Sequence, residues 1–190
     1  LALTTEKVKV KFNGEDIKLN KFQDFMDLYF PDTDKIVDAS NSRMRIGCVY
    51  LPDVGHETIS YVNGICTYRG GTHCNYVVDM VVKSLINDYI KKKNKDVKVT
   101  PAIVKDNLIF FIDSVIDNPS FSSQSKETLT TKSSDFGTTY ELNKSFMNKL
   151  SNSGIVQQII SLAKFKESSK LNKTDGKKTS KVRGIPKLED

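Results

Sequence analysis

Lysine and apolar residues alternate through KVKVKF (7–12), a period of two that predicts a strand. Asn13-Gly14 and the returning EDIKL (15–19) complete the signature of a hairpin. The period then becomes helical: in KFQDFMDLYF (21–30), Phe22, Phe25, Met26, Leu28 and Tyr29 predict a short amphipathic helix, which Pro31 ends. PDTDKIVDASNS (31–42) is polar and turn-rich, so it reads as a loop or weak strand. RIGCVYL (45–51) and TISYVNGI (58–65) read as two strands, joined through PDVGHE as a hairpin.

Gly70-Gly71 breaks the pattern. Thr72 then stands as an N-cap for a helix over 73–93, with Tyr76, Val77, Met80, Val81, Leu85, Tyr89 and Ile90 as its apolar stripe. Lys91, Lys92 and Lys93 close it, where cations suit the helix dipole. Thr100-Pro101 predicts a cap and first helical position of a one- or two-turn helix. NLIFFIDSVID (107–117) is rich in Ile, Phe and Val and predicts a central buried strand, ended by Asn118-Pro119. Beyond a polar stretch come a short strand at TYEL (139–142) and helices over 142–154 and 154–170. Ile155, Ile159, Leu162, Ala163 and Phe165 pattern the second of these helices. The tail is lysine-rich and apolar-poor and reads as a linker or arm. Strands interleaved with helices predict an α+β or mixed α/β fold, one sheet with helices packed against it. No internal repeat is visible.

Composition narrows the class. The 190 residues suit one domain with appendages; 38% are hydrophobic and 27% charged, and the mean hydropathy of −0.38 is a soluble globular profile. No apolar run reaches the roughly 20 residues that span a bilayer, and LALTTEKVKV has no signal-peptide pattern. The chain begins with Leu1, from which we expect a piece of a longer polypeptide. Cys48, Cys66 and Cys74 are odd in number and lack C-x-x-C spacing, so we expect reduced, mostly buried thiols of an intracellular protein, with no zinc site. The net charge of +6 is local: 91–98 holds five lysines against Asp96, and 164–190 holds nine Lys/Arg against four acids. Such segments point to a polyanion nearby, or to plain solvated faces.

The candidate chemistry is sparse. Gly70-Gly71 before a helix fits an anion site at a helix N-terminus, or more simply a tight turn. His56 and His73 lack a third ligand at metal spacing, and no nucleophile–base–orienter set is readable, so no catalytic residue is assigned. Asp113 and Asp117 lie on one side of a strand, as a carboxylate pair for a metal or as acids turned to water. FSSQSKETLT (121–130) follows the most apolar strand yet has, after Phe121, only Leu129 to bury. It is a solvated loop, or a device presenting Gln124 and Lys126 to an anion, since an ammonium beside an amide suits a terminal phosphate.

Taken together, several stretches resemble one family. NPSFSSQSKETL (118–129) resembles the N-P-x-F-x-x-Q-T-K-x-x-L motif of type II DNA topoisomerases. ISYVNGICTYRGGTHCNYVVDMVVKSL (59–85) is similar to their segment with a G-G-x-H signature. KKKNK (91–95) resembles the lysine cluster of the eukaryotic members. SGIVQQIISLAKFK (153–166) and RGIPKLED (183–190) are also similar to the eukaryotic type, and residues 7–29 resemble the last hairpin and helix of the family's ATP-binding domain.

This resemblance implies a eukaryotic-type DNA topoisomerase II piece. Residues 1–30 would end the GHKL ATP-binding domain. Residues 31–168 would form the transducer domain, with a ribosomal protein S5 domain 2-like fold of one mixed sheet and helices on one face. Residues 169–190 would be a basic linker towards the TOPRIM domain. It implies that Gln124, Ser125 and Lys126 contact the ATP γ-phosphate, Ser125 standing where the motif has threonine, and that Lys91, Lys92 and Lys93 face double-stranded DNA. It further implies ATP, with Mg2+ held by the upstream and TOPRIM domains; a homodimer in the full-length enzyme; a nuclear location; and no membrane. The piece carries none of the ATPase nucleotide motifs, TOPRIM acids or active-site tyrosine region, so we expect no catalysis from it alone. The competing readings are a stand-alone basic nucleic-acid-binding module and the middle domain of another GHKL ATPase.

Overall fold

The computed structural model describes residues 9–17, 19, 21–52 and 55–175, with side chains to residue 169. The closing RGIPKLED and most of the expected basic linker lie outside the described residues, as do residues 1–8.

The fold is organised by the most apolar run. β7 (Leu108–Ser114) is buried at every position because both its faces are covered. Alternation along the strand divides its side chains. Leu108, Phe110 and Ile112 enter the larger core, and Ile109 and Phe111 enter a second, smaller one. It is the middle strand of a five-stranded sheet ordered β3 (Lys35–Asn41), β4 (Met44–Tyr50), β7, β5 (Glu57–Val62), β6 (Ile65–Cys66). β4 runs antiparallel to β7, with Ile46 opposite Ile112, and β5 runs parallel to it, with Ser60 opposite the same residue. The sheet is therefore mixed and the fold α+β.

The expected hairpin between 45–51 and 58–65 does not form. β7 lies between the two strands, because a strand apolar on both sides buries most in the middle of a covered sheet. The connecting segment instead bonds across the foot of β7, through Leu51 N to Asn107 O and Gly55 N to Asp106 O. Residues 31–42 do contain a strand, β3. The expected strand at TYEL is absent: Tyr140 is pinned by its hydroxyl to Asp38 at 2.5 Å, and its carbonyl accepts from Tyr76 Oη. Burial would raise the Asp38 carboxyl, but hydrogen bonds from Ser40 and Tyr140 outweigh it and hold the group below its usual range.

One face of the sheet carries α2 (Thr72–Ser84), α4 (Pro101–Lys105), α5 (Lys144–Asn152) and α6 (Ile155–Asp175). Phe146, Leu150, Ile155, Val156 and Ile159 seal this core, whereas Phe165, expected in the apolar stripe, is exposed. α1 (Phe22–Asp27) lies on the other face, where Phe25 meets Phe111 edge-on. Gly47 lets α1 approach, since a Cβ there would overlap the Met26 side chain. α1 follows a separate hairpin of β1 (Val10–Phe12) and β2 (Glu15–Ile17), which turns at Asn13-Gly14 as expected.

The long helix is not uniform. α2 passes into a π-helical stretch, Leu85–Ile90, and then into the single turn α3 (Lys91–Lys93). Its N-cap is Gly71 rather than Thr72, for reasons that lie in the neighbouring loop.

Candidate functional site

The segment after β7 leaves the sheet at Val115 and returns near Gly137, and its neck is closed. Arg43 donates to Val115 O at 3.4 Å and Gly137 O at 3.1 Å, and pairs with Asp117 at 2.5 Å. Asn63 grips Ile116 through both its amide atoms. Asp113 pairs with Arg45, both largely buried. Each acid thus has its own arginine, so they form no carboxylate pair. Among the described residues, no group of three His, Cys, Asp or Glu could hold a metal ion.

Within this excursion, FSSQSKETLT is a small hairpin. Phe121 faces Leu129, with Ser122 N bonded to Thr128 O at 3.0 Å and Thr130 N to Ser120 O at 2.9 Å. Lys126 N closes the tip on Ser123 O at 3.1 Å, and Lys126 takes a left-handed φ of 58°. Gln124, Ser125 and Lys126 are all exposed at that tip. The Lys126 ammonium sits 5.9 Å from the Phe121 ring centroid.

The returning limb docks on the glycine turn. Arg69 N donates to Glu127 O, Leu129 N to Gly70 O and Thr72 N to Leu129 O, each at 3.1 Å, and the last two make a parallel bridge between Gly71 and Leu129. Leu129 is 1% exposed, at the head of α2. Gly71 has φ 139°, and a Cβ on it would overlap the Leu129 carbonyl oxygen and lie 2.5 Å from its nitrogen. No other residue permits that approach. Hence Thr72 cannot cap the helix: its hydroxyl donates to Thr131 O at 2.6 Å instead. Gly70-Gly71 is therefore a docking turn, with Leu129 where an anion was one expectation.

Under the turn lies His73, fully buried. Its Nε2 is 3.2 Å from Thr67 Oγ1, which in turn meets Ser60 Oγ at 2.6 Å; its Nδ1 has no partner among the described residues. Burial lowers its pKa to about 4, so the ring is a neutral wedge between β5 and the turn. His56 is exposed, with its ring edge-on to Phe110. The three cysteines are free thiols and mostly buried, as expected: Cys48 and Cys74 are buried and Cys66 is exposed.

Lys91, Lys92 and Lys93 form the exposed far end of the same helix, and Lys91 Nζ reaches Asn87 Oδ1 at 2.8 Å. At 1.5 Å per residue the helical run from 72 to 93 separates the lysines from the docked loop by roughly 30 Å. Lys92 lines a 540 Å³ groove with Tyr89, Lys144 and Asn148. The two groups singled out from sequence are thus apart, at opposite ends of one helix. Sequence reasoning missed Tyr68, Arg69 and Glu127. The Glu127 carboxylate accepts from Ser125 Oγ at 2.8 Å and Arg69 Nε at 3.1 Å. Hydrogen bonds from Tyr68 and then Ser125, with Arg69 nearby, hold the Glu127 carboxyl below its usual range. Only Leu129, the one apolar residue of its stretch after Phe121, carried a signal in the sequence.

Chemically, the tip offers an ammonium, an amide and a hydroxyl on an exposed turn, a donor set that fits a phosphate. No helix of the described residues is long and apolar enough to cross a membrane.

The family profile described as DNA gyrase B matches residues 5–179. The chain is 43% identical over 96% of its length to DNA topoisomerase 2 of Acanthamoeba polyphaga mimivirus, of which it covers 15%. It is 39% identical over its full length to DNA topoisomerase 2 of Drosophila melanogaster, of which it covers 14%. Among solved structures, the ATPase and transducer domains of DNA topoisomerase II from Balamuthia mandrillaris superpose on 84% of this chain with a TM-score of 0.76, at 34% identity, over 40% of that chain.

Proposed function

The chain belongs to the DNA gyrase B family, and from that premise we propose that it is the transducer region of a eukaryotic-type, ATP-dependent type II DNA topoisomerase. Gln124, Ser125 and Lys126 sense the ATP γ-phosphate. The chain relays closure of the ATP gate to a DNA-cleaving core elsewhere in the longer protein. Lys91, Lys92 and Lys93 face double-stranded DNA. The longer protein is a nuclear homodimer that hydrolyses ATP with Mg2+ held outside this chain, and this chain alone is not catalytic. Residues 1–30 end the ATP-binding domain, 31–168 are the transducer, and 169–190 lead to the next domain.

One observation carries the reading. The phosphate-suited tip stands on a hairpin whose base is locked to the head of the helix that ends in the lysine cluster. ATP offers Lys126 a phosphate that ADP lacks, a differential contact able to bias a conformational equilibrium. One charged hydrogen bond of this kind contributes about 1.5–3 kcal/mol, enough to bias a domain rotation without driving it alone. Leu129 anchors the base of the hairpin, so the bias is carried by the contact at Lys126 and not by lifting of the whole hairpin. The bound nucleotide supplies the phosphate; this chain's residues hold and orient it.

The test is ATP turnover of the longer natural chain, with and without DNA, in wild type and Lys126→Ala. A severalfold fall in turnover or in its DNA stimulation, with folding intact, is expected. Unchanged turnover in both conditions would leave the basic nucleic-acid-binding module as the better reading. The middle domain of a different GHKL ATPase is disfavoured by resemblance along the whole chain.

A further inference from the structure

We propose that Glu127 is the positioning residue of the phosphate-sensing tip: its carboxylate ties Ser125 to Arg69 and so fixes Lys126 between two held neighbours. This rests on the sensing role of Lys126 proposed above. Lys126 lies in the left-handed region at φ 58°, a conformation that an unbranched non-glycine residue keeps only when its surroundings impose it. On its N-terminal side, Ser125 Oγ donates to Glu127 Oε1 at 2.8 Å. On its C-terminal side, Glu127 is held twice by one residue: its carbonyl accepts from Arg69 N, and Oε2 from Arg69 Nε, both at 3.1 Å. Arg69 immediately precedes the glycine pair on which Leu129 docks, so the tip inherits its position from the head of α2.

The pairing also has an electrostatic consequence. A carboxylate next in sequence to Lys126 would compete with a phosphate for the ammonium. Glu127 is engaged by Arg69 and Ser125, and Lys126 makes no ion pair among the described residues. The brace therefore keeps the ammonium both placed and available to an anion.

A surface ion pair with only structural value would alter stability and leave nucleotide discrimination untouched. The test therefore reads discrimination: KM for ATP and the inhibition constant of ADP, in the full-length chain, for wild type, K126A, E127A, E127Q and K126A/E127A. We expect E127A to raise KM for ATP by about two- to fivefold and to leave ADP inhibition unchanged, because ADP has no γ-phosphate for the tip to meet. E127Q, which keeps an acceptor for Ser125, should lose less. K126A/E127A should equal K126A, because Glu127 acts through Lys126. An equal shift for ATP and ADP, or additive losses in the double variant, overturns the proposal. A silent E127A beside an impaired K126A overturns it while leaving the sensing role intact. A silent K126A removes both.

Discussion

Replacing Gly71 with alanine tests whether the hairpin over 121–130 is locked to the helix. The backbone there has φ 139°, a region alanine reaches only with about 1–3 kcal/mol of strain. The new Cβ would overlap the Leu129 carbonyl oxygen and lie 2.5 Å from its nitrogen and 2.9 Å from its Cα. These are backbone atoms, so no rotamer change relieves the clash, and the limb must lift. Lifting breaks Leu129 N to Gly70 O and Thr72 N to Leu129 O, at about 1 kcal/mol each. It also exposes a leucine now 1% accessible, at about 2 kcal/mol. The expected loss is on the order of 5–7 kcal/mol. Urea denaturation followed by far-UV circular dichroism would measure it. Gly154→Ala is the control: φ there is 89° with nothing within 4 Å of a new Cβ, so only about 1 kcal/mol of left-handed strain applies. A Gly71→Ala midpoint matching the Gly154→Ala midpoint would refute the docking argument.

Three further outcomes follow from the same structure. Asp113→Ala strands the buried Arg45 guanidinium, and denaturation should show a loss of about 3 kcal/mol or more. His73 titrates at about 4 when folded against an ordinary 6.5, so the unfolded chain takes up more protons between those values and stability falls as pH drops through that window. That amounts to about 2 kcal/mol between pH 7 and pH 5, and urea midpoints of His73→Gln at the two pH values should lack this part of the dependence. Replacing Lys91, Lys92 and Lys93 with alanine should weaken DNA binding and reduce the log–log salt slope by about 2–3, measured by titration at several salt concentrations.

What was legible in the sequence was local. The Asn13-Gly14 hairpin, the helices over 22–27, 144–152 and 155–175, and the buried strand at 108–114 are all written in short-range periodicity and turn chemistry. The misplaced partner of β4 was not, because RIGCVYL and TISYVNGI alternate as any hairpin would, and only competition for the sheet centre puts Phe110 and Phe111 between them. The TYEL reading failed because Tyr140 answers to Asp38, 102 residues away in sequence. At the candidate site, the motif placed Gln124, Ser125 and Lys126 by resemblance, but nothing local joined FSSQSKETLT to Gly70-Gly71. That contact joins residues about 58 apart in the chain, and Glu127 and Arg69 look like ordinary surface charges until it is made. The apolar poverty of the stretch suited a solvated loop. Leu129, its one well-buried side chain, instead anchors the base.

The most direct measurement is an experimental structure of the longer natural chain with a non-hydrolysable ATP analogue. The account predicts Lys126 Nζ about 3 Å from a γ-phosphate oxygen, with Leu129 still bonded to Gly70 and Thr72 and Glu127 still on Arg69. A γ-phosphate bound with Lys126 turned to solvent, or a hairpin lifted whole from the glycine turn, would contradict it.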